Sequence, residues 1–234
     1  MLEVKDLHAW YGHSHVLQGV SIRVDAGEAV CVIGRNGAGK TTLLRSIMGL
    51  VHDRKGEVWF DGRDIIRLPV HRRFGLGLAY VPEERRIVGG LTVLENLRLG
   101  LVASPNKSRE REIIDRIAET FPRLKERLSQ EADTLSGGEQ QMLAIARAMV
   151  SEPRLIMLDE PSEGIMPVLV DEMFELFARM KSQGITILLV EQNVERALQL
   201  ADRAYIMDQG EIVHSSDAKT LLADTEIQER YCSV

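Results

Sequence analysis

The sequence predicts an α/β fold: a parallel sheet covered by helices on both faces, with antiparallel β structure at the front and a helical block set into it. Three observations lead there. Short apolar runs, AVCVI (29–33), LIML (155–158) and ITILLV (185–190), have the length and continuity of strands buried on both faces. Helix-patterned segments separate these strands, as in βαβ units. From about residue 92 to 150 the apolar spacing changes from period two to period 3.6, which marks the helical block.

Taken in order, LEVKDLHAWY and VLQGVSIRV alternate apolar and polar residues as half-buried strands, and GEAVCVIG supplies the first continuous apolar strand. A helix, TLLRSIMGL, follows. GEVWFDG reads as hairpin material turning at Asp61 and Gly62. Thr92 and Glu95 have capping-box spacing, Ile113, Ile114, Ile117 and Phe121 trace one helical face, and residues 139–150 continue in kind. A helix runs from Pro167 to about Ser182, closed by Gly184; then come the strand ITILLV, another helix, and a late hairpin around Asp208–Gly210.

The chain has 234 residues, 44% of them hydrophobic, enough for one sizeable domain with or without an inserted subdomain. No internal repeat or low-complexity linker interrupts it. A net charge of −6 disfavours nucleic acid as a partner, because counterion release needs clustered cations. The short basic pairs, Arg72 with Arg73 and Arg85 with Arg86, read as solvated surface. No apolar run approaches the roughly 20 residues of a membrane span, and the opening residues lack the blocks of a secretory signal; both point to a cytoplasmic protein. Cys31, within an apolar strand, reads as buried and inert, and Cys232 at the tail pairs with it in neither metal-ligand nor disulfide spacing.

GRNGAGKT fits G-x-x-x-x-G-K-[ST] through Gly34, Gly39, Lys40 and Thr41, between a strand and a helix as a phosphate-binding P-loop requires. Asn36, Gly37, Ala38 and Thr42 complete the cradle. Glycines let consecutive N–H groups curl around a phosphate, the helix start adds positive potential, Lys40 reaches the terminal phosphates, and Thr41 offers a hydroxyl to Mg²⁺. LIMLDE delivers Asp159 and Glu160 at the C-terminal end of a buried strand, where open α/β sheets place ligands. Asp159 suits Mg²⁺ and Glu160 the orientation or deprotonation of an attacking water. Two acids ending a strand are commonly just a polar exit; paired with the cradle they point to nucleotide hydrolysis.

LSGGEQQ (135–141) is a second stretch suited to an anion. Ser136 and Glu139 form a capping-box pattern, so it could be a well-started helix with Gln140 and Gln141 toward solvent. That reading leaves Gly137 and Gly138 unexplained, since each weakens the helix by about 1 kcal/mol against Ala while baring its backbone to close approach.

GRNGAGKT, LSGGEQQ and LIMLDE, in this order and spacing, resemble the ATP-binding subunit of an ABC transporter over essentially the whole chain. The resemblance implies a P-loop NTPase core sheet with an antiparallel β subdomain (together about 1–84 and 151–234) and an inserted α-helical subdomain (about 85–150). It implies that Ser136, Gly137, Gly138 and Glu139 close over the γ-phosphate held by a partner subunit, and that Tyr11 stacks on adenine, although Tyr11 could be an ordinary strand-end residue. Ser162 and Gly164 fall at the loop linking two nucleotide sites. Glu83 stands where the family commonly has Gln, and can still serve Mg²⁺. Gln192 stands where His usually contacts the γ-phosphate; it can donate a hydrogen bond but cannot carry a proton. VPEERR, LTVLENL, LLVEQN and LADRAYIMDQGEIV are similar to one branch, the ATPases of branched-chain amino-acid importers and related urea or amide systems.

That resemblance implies ATP and Mg²⁺ as cofactors, a second ATP-binding subunit as homo- or heterodimer partner, and transmembrane permease subunits that hold the chain to the inner face of the membrane. An external solute-binding protein would act indirectly, and no nucleic acid is involved. Residues 83–99 would lie at the groove receiving a permease helix, with Ile87, Val88, Leu91 and Leu94 either lining it or packing internally. A P-loop kinase, a DNA-repair clamp and a non-hydrolysing ATP sensor are the rival readings. The kinase would need a lid and acceptor site, the clamp long heptads, and the sensor no intact Glu160.

Overall fold

In the computed structural model, which describes residues 1–102, 104 and 106–231, the chain forms two sheets. Cys232 lies outside the described residues. The first sheet takes β1 (Leu2–Tyr11), β2 (Ser14–Val24), β4 (Asp53–Phe60) and β5 (Arg63–Asp64) in the antiparallel order β2-β1-β4-β5. Asp61 and Gly62 make the β4–β5 turn, both at positive φ, as a two-residue hairpin requires. The second sheet, order β10-β9-β3-β8-β7-β6, contains β3 (Ala29–Ile33), β6 (Leu78–Val81), β7 (Leu155–Asp159), β8 (Thr186–Glu191), β9 (Arg203–Asp208) and β10 (Glu211–Asp217). It is parallel except for the β9–β10 hairpin.

The absence of apolar alternation in β3, β7 and β8 has a direct cause. Every residue of these strands is buried, and successive side chains enter two different cores. Ala29, Cys31 and Ile33 join Ile156, Leu158, Ile187 and Leu189 in a core shared with the helical block. Val30, Val32, Leu155, Met157, Leu188 and Val190 face the opposite side, against the antiparallel sheet and α1 (Lys40–Met48).

The remaining helices are α2 (Val70–Gly75), α3 (Val93–Leu101), α4 (Glu110–Thr120), α5 (Pro122–Lys125), α6 (Gly137–Met149), α7 (Pro167–Ser182), α8 (Val194–Leu200), α9 (Ala218–Ala223) and α10 (Thr225–Tyr231). Helices α3 to α6 all fall between β6 and β7 in sequence. Both expected capping boxes are formed: Thr92 with Glu95 starts α3 and Ser136 with Glu139 starts α6. Phe121 completes the apolar face of α4 from just beyond its last turn, because Pro122 begins a new helix there. Among the described residues no helix is long and apolar enough to cross a membrane.

Two surface expectations fail. Arg73 is fully buried rather than solvated: its guanidinium donates to the carbonyls of Leu68, Ile66, Ile47 and Ser46. Ser46 and Ile47 lie in the last turn of α1, where the Gly49 N–H reaches the Ser46 carbonyl, and the cation adds a cap from another element. Burial, with Arg54 nearby, lowers its pKa to about 10. Gln141 is 2% exposed, with neither amide atom hydrogen-bonded among the described residues. Helix α6 is covered along a wide arc from Gly138 and Glu139 through Ile145, leaving Gln140 nearer the surface, where its Nε2 donates to the Leu135 carbonyl.

Candidate functional site

The C-terminal ends of β3, β7 and β8 lie side by side in the parallel sheet, with Ile33 opposite Glu191 and Asp159 opposite Val190. Three loops therefore open at one edge: 34–39, the turn after Asp159, and the turn after Glu191. Loop 34–39 leads into α1, which starts with Gly39 at φ 109 and no side-chain cap, leaving its first N–H groups for a ligand. Gly34 is fixed by close approach: a Cβ there would sit 2.1 Å from the Met207 carbonyl oxygen. The Gly210 N–H donates to the Ala38 carbonyl, so the β9–β10 hairpin supports the loop from outside. Asn36 and Gly37 are exposed at its tip, while Ala38, Gly39, Lys40 and Thr42 are buried.

Lys40 is 3% exposed, and its Nζ donates to the carbonyls of Gly34 (2.9 Å) and Arg35 (3.2 Å) while lying 3.2 Å from Glu160 Oε1. The other oxygen of Glu160 accepts from Gln192 Nε2. Glu160 has φ +45, a left-handed conformation costly for a side chain of its size, held by its N–H donating to Val190 O at 2.9 Å. Asp159 is fully buried; Thr41 Oγ1 donates to one of its oxygens (2.8 Å) and Tyr80 OH to the other (2.7 Å). Burial pushes the Asp159 carboxyl above the usual carboxylate range, partly countered by those two bonds. Glu83, at the rim, is also held above that range, by desolvation and then by the charges of Glu160 and Asp159.

The structure thus brings together two adjacent groups, Thr41 with Asp159 and Lys40 with Glu160 and Gln192, with Glu83 in the field of both carboxylates. Tyr11 ends β1 at 48% exposure, an open ring at a strand end. Ser136–Glu139 make no hydrogen bond to loop 34–42 among the described residues. The Glu139 carboxylate accepts from Ser136 N–H (2.9 Å), Ser136 Oγ (2.8 Å) and Arg127 Nε (2.9 Å). Burial alone would raise its pKa, but these partners outweigh it and hold the carboxyl low. A Cβ on Gly138 would meet Leu169 Cδ1 at 2.3 Å, so packing against α7 favours glycine there unless the leucine side chain shifts. A Cβ on Gly137 would meet only the flexible guanidinium of Arg85, at 2.6 Å.

Of the four apolar residues proposed for a groove after Glu83, Ile87 and Leu94 pack partly buried on the helical core, and Val88 is 43% exposed. One groove beside this segment opens between the end of α1 with α2 and the helices α3 and α6, lined by Met48, Leu50, Val70, Phe74, Arg85 and Leu99, and Ile87 lines a second with Glu83, Gln140 and Gly164. Three site residues escaped the sequence reading: Tyr80 on Asp159, Arg45, whose guanidinium is held charged by Tyr80 and bonds Glu84 (3.2 Å), and Glu191. Glu191 carries the same signal that revealed Asp159, an acid ending a buried apolar strand.

A lysine among backbone N–H groups beside a carboxylate that can accept a water's proton is equipped for phosphoryl transfer to water. Comparisons with known proteins agree. The family model for ABC transporter matches residues 17–163. The high-affinity branched-chain amino acid transport ATP-binding protein BraG of Pseudomonas aeruginosa is 42% identical over 99% of both chains. The probable branched-chain amino acid transport ATP-binding protein LivF of Archaeoglobus fulgidus is 38% identical over 99% of this chain and 98% of its own. Among solved structures, a nucleotide-free ATP-binding cassette from an ABC transporter superposes with a TM-score of 0.84 at 29% identity, covering 98% of this chain and 97% of that one. A family model spanning the P-loop through the acids of β7, with relatives matched end to end, leaves one conclusion: the chain belongs to the ABC transporter family, as an ATP-binding cassette that hydrolyses ATP.

Proposed function

We propose that this cassette drives a membrane importer for branched-chain amino acids, from the inner face of the membrane. The observation that carries the hydrolytic part is the Lys40–Glu160–Gln192 constellation. Lys40 is satisfied by two loop carbonyls and Glu160. A triphosphate entering the N–H groups of residues 34–42 offers the ammonium a stronger partner, and Lys40 moves to the terminal phosphates. Glu160, released from the lysine, then accepts a hydrogen bond from the attacking water and takes its proton as the water oxygen bonds to the γ-phosphorus and the bond from that phosphorus to the bridging oxygen breaks, ADP leaving with that oxygen, while the Gln192 amide holds position. Tyr11 supplies a ring for adenine.

The donor set also fits Mg²⁺. Thr41 Oγ1 and the Asp159 oxygens are hard ligands, and Asp159 is a buried carboxylate with no cation bonded to it among the described residues. Thr41 and Asp159 would hold the ion, with Glu83 reaching through water, and it would neutralise charge on the bound phosphates.

Ser136, Gly137, Gly138 and Glu139 serve a second cassette, closing on the triphosphate bound there; residues 85–150 act as the moving helical subdomain against a core of 1–84 and 151–234. Permease subunits dock in the groove between α2 and α3, and a solute-binding protein outside the cell delivers the amino acid. Purification of the tagged full chain from membranes should bring permease subunits with it and give vesicles with ATP-dependent leucine, isoleucine and valine uptake. Leu50→Asp, on the half-exposed groove wall, should keep phosphate release and lose the permeases. Uptake of none of these amino acids by a complex that hydrolyses ATP would overturn the substrate assignment.

A further inference from the structure

The turn carrying Gln192 and the turn carrying Glu160 are joined by one side chain that the catalytic scheme has not used. Glu191, the last residue of β8, is 1% exposed, yet both carboxylate oxygens are engaged. Oε1 accepts the N–H of Ser162 at 2.9 Å, two residues after Glu160. Oε2 accepts the N–H of Gln192 (2.9 Å) and of Asn193 (3.1 Å), and Asn193 in turn caps α8 through Arg196 N–H. With Gln192 Nε2 donating to Glu160, the chain closes a ring: Glu160, Pro161, Ser162, the Glu191 carboxylate, Gln192, and back to Glu160.

We infer that Glu191 is a positioning residue for hydrolysis: its carboxylate locks the loop of the general base to the loop of the phosphate-facing amide, so that Glu160 and Gln192 keep one mutual geometry. This rests on the ATPase reading above. Stability alone is a poor reason for such a group. A carboxylate removed from water is costly, and no lysine or arginine pairs with it among the described residues; burial pushes its pKa up against the Ser162 side chain and the three N–H donors. An apolar residue would pack at that depth more cheaply. Nor does a neutral polar residue replace it, since Gln has one accepting oxygen and would turn its amide N–H toward an N–H donor. Only a carboxylate presents acceptors in both directions at once.

The full chain tests this as wild type, Glu191→Gln, Glu191→Asp, Gln192→Ala, the Glu191→Gln/Gln192→Ala double variant and Glu160→Gln, by phosphate release, equilibrium binding of a fluorescent ATP analogue and thermal midpoint. Glu191→Gln should lower kcat by about tenfold or more, since small misplacements at a reacting centre are amplified, while ATP affinity stays within about twofold because loop 34–42 is untouched. Glu191→Asp should recover part of kcat. In the double variant the Glu191→Gln effect should shrink, because the bracket then has no amide to hold. A kcat within about twofold of wild type overturns the inference, as does an equal loss of affinity and kcat that Asp does not relieve. If Glu191→Gln fails to fold, Glu191→Asp decides: lowered kcat at unchanged affinity supports the bracket, unchanged kcat refutes it. Wild-type turnover by Glu160→Gln would instead sink the general-base reading, and is told apart by that variant alone.

Discussion

Replacing Glu160 with Gln removes one charge and disturbs two interactions, and the structure indicates what each is worth. The Glu160 carboxylate lies 3.2 Å from Lys40 Nζ, with the two side chains 10% and 3% exposed. At an effective dielectric of about 20 the gross attraction at that distance is about 5 kcal/mol. Most of it is offset by desolvation, and a surviving 1.4 kcal/mol, about a quarter, is a tenfold equilibrium factor. ATP must displace this pair and then sit beside the carboxylate, so its loss should tighten ATP binding by about tenfold. Turnover should fall by about a hundredfold or more, the usual worth of a positioned general base. The nucleotide-free variant should melt earlier than wild type, because Lys40 keeps its charge with only the Gly34 and Arg35 carbonyls to meet it, and saturating ATP should raise its midpoint more than it raises that of wild type. Phosphate release, equilibrium nucleotide binding and thermal denaturation read the three effects. Weaker ATP binding together with turnover within tenfold of wild type would refute both the displacement argument and the base assignment.

Arg73→Met keeps most of the side-chain volume but abandons four carbonyls, so urea denaturation should show a loss of about 3 kcal/mol or more; a loss below 1 kcal/mol would show that the α1 cap is not supplied by this guanidinium. The Asp159 carboxyl is raised by burial, so the folded chain binds its proton more tightly than the unfolded one, and this residue's contribution to stability declines as pH rises from about 4 through its folded pKa. Asp159→Asn should therefore gain stability relative to wild type on going from pH 4 to pH 7.5, and added Mg²⁺ should stabilise wild type at pH 7.5 more than it stabilises the variant; parallel stability curves with and without the ion would refute this.

Much of the fold was legible because periodicity reports burial. The strands AVCVI, LIML and ITILLV announced two-sided burial by lacking alternation, and the two cores that divide their side chains are the reason. The cradle was legible because its chemistry is contiguous in sequence. What could not be read are contacts made by convergence. Arg73 looks like any surface cation beside Arg72 until α2 is placed against the end of α1, and Gln141 looks exposed until α3 and the sheet cover α6 on two sides. Gly138 illustrates a subtler limit: its absence of a side chain suggested an anion, while a Cβ there would also crowd Leu169, thirty-one residues away in sequence.

The donors around each carboxylate explain how these groups can be kept together. Asp159, Glu160 and Glu191 gather three carboxylates at one end of the sheet, which electrostatics alone would drive apart. Each is held by a different kind of donor: hydroxyls of Thr41 and Tyr80 for Asp159, an ammonium and an amide for Glu160, backbone N–H groups for Glu191. Only the donors on Glu160 and the hydroxyl of Thr41 belong to side chains that a triphosphate and its cation would recruit. On the proposed mechanism binding would therefore loosen Asp159 and Glu160 selectively while Glu191 stays tied to the backbone. The left-handed Glu160, at a standing cost of about 1 kcal/mol or more, is restrained by its N–H bond to Val190 and by the link from Ser162 to Glu191, so the backbone of the proposed base is held from two sides.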